Sequence, residues 1–259
     1  MKVSIITVTY NSEAYLEQTI RSVLSQRYED IEYIIVDGGS TDNTKNIISA
    51  YQNKISRFIS EKDNGIYDAL NKGLAMAGGD IIGILHSDDF FTHETVIKTV
   101  VQTFKDTQAD AVYANLCYVD AENTSKIIRK WHSGSYVPNS FLYGWMPPHP
   151  TFFVKKSVYR QFGHFNLNFK TSADYELMLR FIHKHQIKLS YLNEYIVYMR
   201  VGGQSNASIN YRILANLEDR KAWAVNDLKP YFFTLWLKPL RKIRQFFNRN
   251  AMFLPALFS

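Results

Sequence analysis

The chain has 259 residues, 46% hydrophobic and 21% charged, enough to bury a core and inconsistent with an intrinsically disordered protein. Its one cysteine, Cys117, excludes an intramolecular disulfide and a cysteine-built zinc site, and suits a reducing cytoplasm. A formal net charge of +6 favours anionic partners, whether nucleic acid, phosphates or an anionic membrane surface. The opening run Met1–Tyr10 lacks the apolar core of a signal peptide, and no run of about 18 apolar residues offers a membrane span.

In chain order, Val3–Val8 reads as a β-branched strand. Ala14–Gln26 reads as a helix with Leu16, Ile20, Val23 and Leu24 on one face and Asn11 or Ser12 as N-cap. Tyr33–Val36 is a second strand, followed by the turn Asp37–Asp42 and a helix near Asn43–Tyr51. Arg57–Ser60 is a third strand, Tyr67–Ala77 a helix stopped by Gly78-Gly79, and Ile81–Leu85 a fourth strand running into His86-Ser87-Asp88-Asp89. A helix over His93–Lys105 and a strand over Ala111–Tyr118 follow. Strands separated by helices of roughly 10–15 residues predict βαβ units: an α/β fold, Rossmann-like, with a mostly parallel sheet and helices on both faces. Right-handed crossovers then bring the strands' C-terminal ends to one edge, where open α/β sheets bind ligands.

After about residue 120 the alternation breaks. Trp131–Gly144 is aromatic and turn-rich, and Met146–Pro150, with three prolines, is irregular. Thr151–Val154 fits a strand, Ala173–His185 a helix, Lys188–Leu192 and Ile196–Arg200 two short strands, and Tyr211–Val225 a longer helix.

Polar clusters fall at the expected strand ends, and each has two readings. Asp88 and Asp89 are costly to desolvate unless a cation neutralises them, so they fit a hard divalent ion; they also fit an N-cap for the next helix. Asp37-Gly38-Gly39 lets backbone approach a ligand, or makes a tight turn. Asp63, with Asn71 and Lys72 on the following helix, suits a phosphate, or a capped helix with a solvated lysine. Asp174 opens a helix, as a cap favoured by the dipole or as a general base for an acceptor hydroxyl. His149, among prolines, is a structural histidine or a contact to acceptor, phosphate or metal.

Taken in order, Val3–Asn11, Val36–Asp42, Asn71-Lys72-Gly73 with Gly79-Asp80, Leu85–Asp89 and Asp174–Leu177 resemble the family-2 inverting glycosyltransferases with the GT-A fold. The resemblance spans Val3 to Asn206. It implies a nucleotide-sugar donor held by Thr9, Tyr10, Asn11, Asp37, Gly38, Asp63, Asn71, Lys72 and Asp88, with Asp37 on the base, typically uracil. It implies a magnesium or manganese ion on Asp88 and Asp89, and Asp174 as base in a direct displacement. The chain departs from the family pattern at three places. His86 stands where aspartate is usual, Ala173 where glutamate often precedes the base, and Val201-Gly202-Gly203 where many members have a histidine after Arg200. On this reading residues 1–227 form the catalytic domain, with a nucleotide-sugar half to about residue 118 and an acceptor half beyond.

Residues 228–259 change character. Phe232, Phe233, Leu235, Trp236 and Leu237 interleave with Lys238, Arg241, Lys242, Arg244 and Arg249, before Met252–Phe258. Such a segment fits an amphipathic helix on a membrane surface, a helix packed on the domain, or a dimer contact. The expectation is a cytoplasmic enzyme on the inner face of the cell membrane, acting on a glycan or lipid-linked acceptor in surface polysaccharide synthesis. A nucleotidyltransferase and a basic nucleic-acid-binding module are the alternatives. The basic residues gather at the C-terminus and not along the sheet edge, which argues against nucleic acid.

Overall fold

The computed structural model describes residues 1–202 and 209–247. Its first part is a run of strand–helix units: β1 (Val3–Thr9), α1 (Leu16–Leu24), β2 (Ile31–Asp37), α2 (Thr44–Ala50), β3 (Arg57–Ser60), α3 (Ile66–Met76) and β4 (Ile81–Ile84). These four strands lie parallel in the order β3-β2-β1-β4. β1 and β2 are buried, mainly apolar runs because neighbouring strands and helices cover them. Successive residues of β1 face opposite layers. Ile6 and Val8 join the layer under α3 with Leu70 and Leu74, while Ile5 joins Ile20, Val23, Ile97 and Val100 in the other. Gly73 lets α3 approach closely, since a Cβ there would meet Ile6 Cγ2 at 2.5 Å.

Beyond β4 come β5 (Phe90–Phe91), α4 (Val96–Thr107), β6 (Ala111–Val119), β7 (Ile127–Trp131), β8 (Phe153–Lys155), α5 (Lys156–Phe162) and α6 (Ala173–Met178). They are followed by β9 (Leu189–Arg200), α7 (Ile209–Val225) and α8 (Thr234–Phe247). The sheet continues as β4-β8-β6-β9-β5, with β7 also on β6. Here directions mix: β8 runs antiparallel to β4 and β6, β5 to β9, and β7 to β6, while β6 and β9 are parallel. The α/β class and the parallel arrangement of the first four strands stand as the sequence suggested.

Several elements of the second half differ from expectation. The two strands expected near residues 188–200 are one strand, β9, whose pairing with β6 shifts around Asn115. The helix expected over Ala173–His185 is α-helical to Met178 and then widens into a π turn at Leu179–Lys184. β5, β7 and α5 carry no strong local signal and exist through their partners.

Within the described part of the C-terminal segment, α8 packs on the domain. Lys238 pairs with Asp219 at 2.6 Å, and Thr234 donates to the Leu142 carbonyl at 2.6 Å. Gly144 passes so close that a Cβ there would meet Lys238 N at 2.5 Å. Gly203, Asn206 and the Met252–Phe258 run lie outside the described residues. Among the described residues no helix is long and apolar enough to cross a membrane.

Candidate active site

The parallel register sets Thr9 beside Asp37, and Leu85 N–H bonds Ile6 O, so the ends of β2, β1 and β4 form one edge. Three loops are stitched together there. Asn11 turns with φ 48° and accepts the Thr41 N–H at 2.9 Å, while its own N–H reaches Ser40 Oγ at 2.8 Å. That use of its side chain explains why Asn11 does not cap α1, which starts after Tyr15 without a side-chain cap. Ser12 and Ser87 hydroxyls meet at 2.9 Å, and Thr19 donates to the Ser87 and Asp89 carbonyls. Tyr10 is left 59% exposed on this edge, an aromatic face open to a ligand. Thr9 is buried, and its hydroxyl has no hydrogen-bond partner.

Asp37 is fully buried and staples its own turn. Its carboxylate accepts from Ser40 N–H and Oγ and from Ser60 Oγ, the last at 2.6 Å. Gly38 makes room for Asp63, whose carboxylate a Cβ at 38 would strike; Asp63 also accepts the Gly65 N–H at 2.9 Å. Two residues expected at the donor are engaged in holding the fold. Asn71 pairs both ends of its amide with Phe165 backbone, at 2.9 and 3.0 Å. Lys72 forms ion pairs with Glu61 at 2.8 Å and Asp68 at 3.4 Å.

The acidic turn is not a helix cap: β5 follows it directly, and α4 begins at Val96 with Thr95 as N-cap. Asp88 is half-buried, whereas Asp89 is wholly buried and both its carboxylate oxygens lack a hydrogen-bond partner. Burial, then the neighbouring Asp88 charge, pushes the Asp89 carboxyl well above the usual range, against the opposing pull of Arg200. Arg200, only 5% exposed, holds the turn from β9. Its guanidinium donates to Asp88 O, Gln18 Oε1 and Ala121 O, and lies over the Tyr15 and Phe90 rings. No local signal reveals this role, because only the β5–β9 pairing brings Arg200 to the turn.

A divalent ion fits this turn. Asp88 reaches the surface and offers hard carboxylate oxygens, and beside it the buried Asp89 oxygens have no hydrogen-bond partner. Among the described residues no three His, Cys, Asp or Glu side chains converge, so an ion would draw its other ligands from water and phosphate oxygens.

Asp174 lies in the first turn of α6 but does not cap it; Ser172 holds that position, also without a side-chain cap bond. The Asp174 carboxylate accepts the Tyr67 hydroxyl at 3.2 Å on Oδ1, and His149 Nδ1 sits 3.2 Å from Oδ2. His149 in turn meets His86 edge-on, with ring centroids 5.6 Å apart. Burial first, and His149 second, pull the His86 pKa down to about 4, so the ring is neutral near neutral pH. The acidic turn, through His86, and the Asp174 carboxylate are thus joined by contacts no sequence spacing shows. A surface hollow of about 460 Å³ lies among Met1, Tyr28, Asp30 and Lys98 at the opposite end of the strands and contains none of these residues.

The model of Glycosyl transferase family 2 matches residues 4–174. An uncharacterised glycosyltransferase of Mycobacterium tuberculosis is 32% identical over 180 residues, covering 69% of this chain and 68% of its own. A PGL/p-HBAD biosynthesis glycosyltransferase of Mycobacterium bovis is 26% identical over 83% of each chain. Among solved structures, residues 1–349 of Staphylococcus aureus TarS with UDP-GlcNAc match with TM-score 0.66 and 20% identity, over 96% of this chain and 72% of that one. The chain spans 44% of the longer TarS chain. The mannosyltransferase PcManGT of Pyrobaculum calidifontis, with GDP-Man and Mn2+, matches with TM-score 0.67 and 17% identity over 97% and 76%. The nucleotidyltransferase and nucleic-acid alternatives give way to these matches: the chain belongs to Glycosyl transferase family 2 and is a glycosyltransferase of the GT-A fold.

Proposed function

We propose that the chain transfers a sugar from a UDP-sugar to a hydroxyl of a glycan or lipid-linked saccharide, with inversion, in surface polysaccharide synthesis. The observation that carries this reading is the contact run Asp174–His149–His86, which ends two residues from Asp88 and so joins a base to the donor edge. The TarS complexes with UDP-GlcNAc and UDP support the donor class, and the GDP-Man complex of PcManGT makes GDP the competing nucleotide. The mycobacterial relative's part in PGL/p-HBAD biosynthesis supports a lipid-linked acceptor.

On the donor side, the open Tyr10 ring offers a face to the base. Thr9, Asn11 and Gly38 frame the nucleotide, with Asp37 and Asp63 fixing the shape of that wall. Asp88 would hold a magnesium or manganese ion, which when bound acts as a Lewis acid for the departing diphosphate; the Mn2+ in PcManGT supports the metal. On the acceptor side, Asp174 takes the proton as the hydroxyl oxygen attacks the anomeric carbon opposite the diphosphate.

α8 and the segment before it support peripheral contact with the inner face of the cell membrane. Phe232 is 91%, Trp236 68% and Leu240 54% exposed, beside a basic stretch in the sequence. Each basic residue near an anionic leaflet adds about 1 kcal/mol. Sedimentation with anionic and neutral vesicles tests this: selective capture by anionic vesicles supports it, and no capture by either rules it out.

The transfer itself is tested by incubating a panel of UDP- and GDP-sugars with a saccharide acceptor and reading the product's anomeric configuration. The expected product has the configuration opposite to the donor's; a retained configuration would overturn the displacement mechanism.

A further inference from the structure

Both oxygens of the Asp174 carboxylate have a polar neighbour before any ligand arrives, a hydrogen bond at one and a close approach at the other. Tyr67 Oη donates to Oδ1 from α3, in the donor half, and His149 Nδ1 faces Oδ2 from the acceptor half, both at 3.2 Å. A carboxylate with a neighbour at only one oxygen swings freely about its Cβ–Cγ bond; a second neighbour at the other oxygen narrows that swing and biases the direction of the remaining lone pairs.

The segment carrying His149 is built for such a task. Pro147, Pro148 and Pro150 bracket it, and His149–Thr151 form a short 3-10 turn. Thr151, fully buried, ties that turn to the sheet: its hydroxyl accepts the Ala114 N–H at 3.2 Å and reaches the Ala114 and Pro148 carbonyls at 3.0 and 2.9 Å. His86 packs edge-on against the ring. A histidine fastened this firmly beside a carboxylate does more than fill space.

We infer that His149 is a positioning residue for the base: its Nδ1–H, opposite the Tyr67 hydroxyl, fixes the Asp174 carboxylate in the orientation that accepts the acceptor's proton. The inference rests on the reading of Asp174 as base and adds what aims it. The group facing Asp174 from α3 is Tyr67, from the proline-rich turn His149, from the end of β4 His86, and from α7 Asp219. Of the two groups in contact with its oxygens, His149 is the one whose donor can be replaced without losing the geometry. An asparagine amide N–H can occupy nearly the place of Nδ1, whereas a glutamine amide reaches the place of Nε2.

The test compares His149→Ala, His149→Gln and His149→Asn in steady-state kinetics with the best donor, alongside thermal melting. The expected result is a kcat about 10- to 100-fold lower in the Ala and Gln variants with donor KM unchanged, and a kcat within about threefold of the parent in Asn. If His149→Ala fails to fold, the Gln and Asn pair decides. The inference is overturned if Ala and Gln keep full kcat, if they raise donor KM at constant kcat, or if a folded Asn variant is as impaired as Gln. Asp174→Asn is run in parallel. If it keeps turnover, the base reading itself falls; if it loses turnover while His149→Gln does not, only the positioning role falls.

Discussion

Tyr67 donates its hydroxyl to Asp174 Oδ1 at 3.2 Å, a bond between residues 107 positions apart that ties α6 to the donor half of the sheet. A carboxylate at the start of a helix is ordinarily explained by the dipole. Here its partners are a tyrosine from α3 and a histidine from a distant turn, which points to chemistry. Asp174→Asn is expected to lower turnover by about 10²–10⁴-fold while nucleotide-sugar affinity, read by calorimetry, stays unchanged. Tyr67→Phe, which keeps the ring stacked on Phe165, is expected to lose about tenfold or less.

The two carboxylates of the acidic turn should behave differently. Asp88→Asn is expected to abolish stimulation by magnesium or manganese and to leave thermal stability unchanged. Asp89→Asn should do the opposite. Burial raises the Asp89 pKa in the folded state, so the folded chain holds this proton more tightly than the unfolded chain. The stability from that group is complete below the unfolded carboxylate range and is lost as pH rises toward the folded value. In chelator, the melting temperature of Asp89→Asn relative to the parent should therefore rise from pH 4 to pH 7. A relative fall across that interval would contradict it.

Glu32 shows the reverse sign. It is 3% exposed, and burial alone would raise its pKa. The Ser4 hydroxyl, the Gly78 N–H and the Lys2 ammonium outweigh that and bring it down to about 2. Its contribution is present above the unfolded value of 4.5 and is lost as pH falls through about 2. Over that shift it amounts to about 3 kcal/mol. Urea melts of Glu32→Gln should show a loss of that order at pH 7, shrinking toward zero near pH 2.

Much of the parallel half of the sheet was legible in the sequence because it is local. The runs Val3–Val8 and Ile81–Leu85 are buried parallel strands whose apolar composition follows from being covered on all sides. Tyr10, Asp37 and Asp88 then sit at one edge by topology alone. What was not legible depends on distant partners. Nothing near Asn71 or Lys72 says that Phe165 backbone and Glu61 claim their polar groups. Asp37 reads as a ligand contact until Ser40 and Ser60 are seen filling its oxygens. β5 is two residues long and exists because β9 lies beside it, which also delivers Arg200 to the Asp88 carbonyl.

A buried ion pair helps to dock α8. Lys238 meets Asp219 at 2.6 Å and lies 3.7 Å from the centre of the Tyr175 ring. Asp219 is 5% exposed, and burial raises its pKa against the pull of Lys238. Lys238→Met leaves that carboxylate buried and unpaired, a loss of about 3–5 kcal/mol by urea denaturation. Adding Asp219→Asn should recover part of the loss, a coupling that independent sites would not show.

On the proposed function, Asp88 and Asp174 serve one transfer from a nucleotide sugar. Acceptor-dependent release of nucleoside diphosphate, measured across UDP- and GDP-sugars with manganese, tests it most directly. The parent chain is expected to release diphosphate from at least one donor, with Asp88→Asn and Asp174→Asn each about 100-fold slower or worse. Full release by either variant, or unchanged release by the parent in excess chelator, would contradict the account.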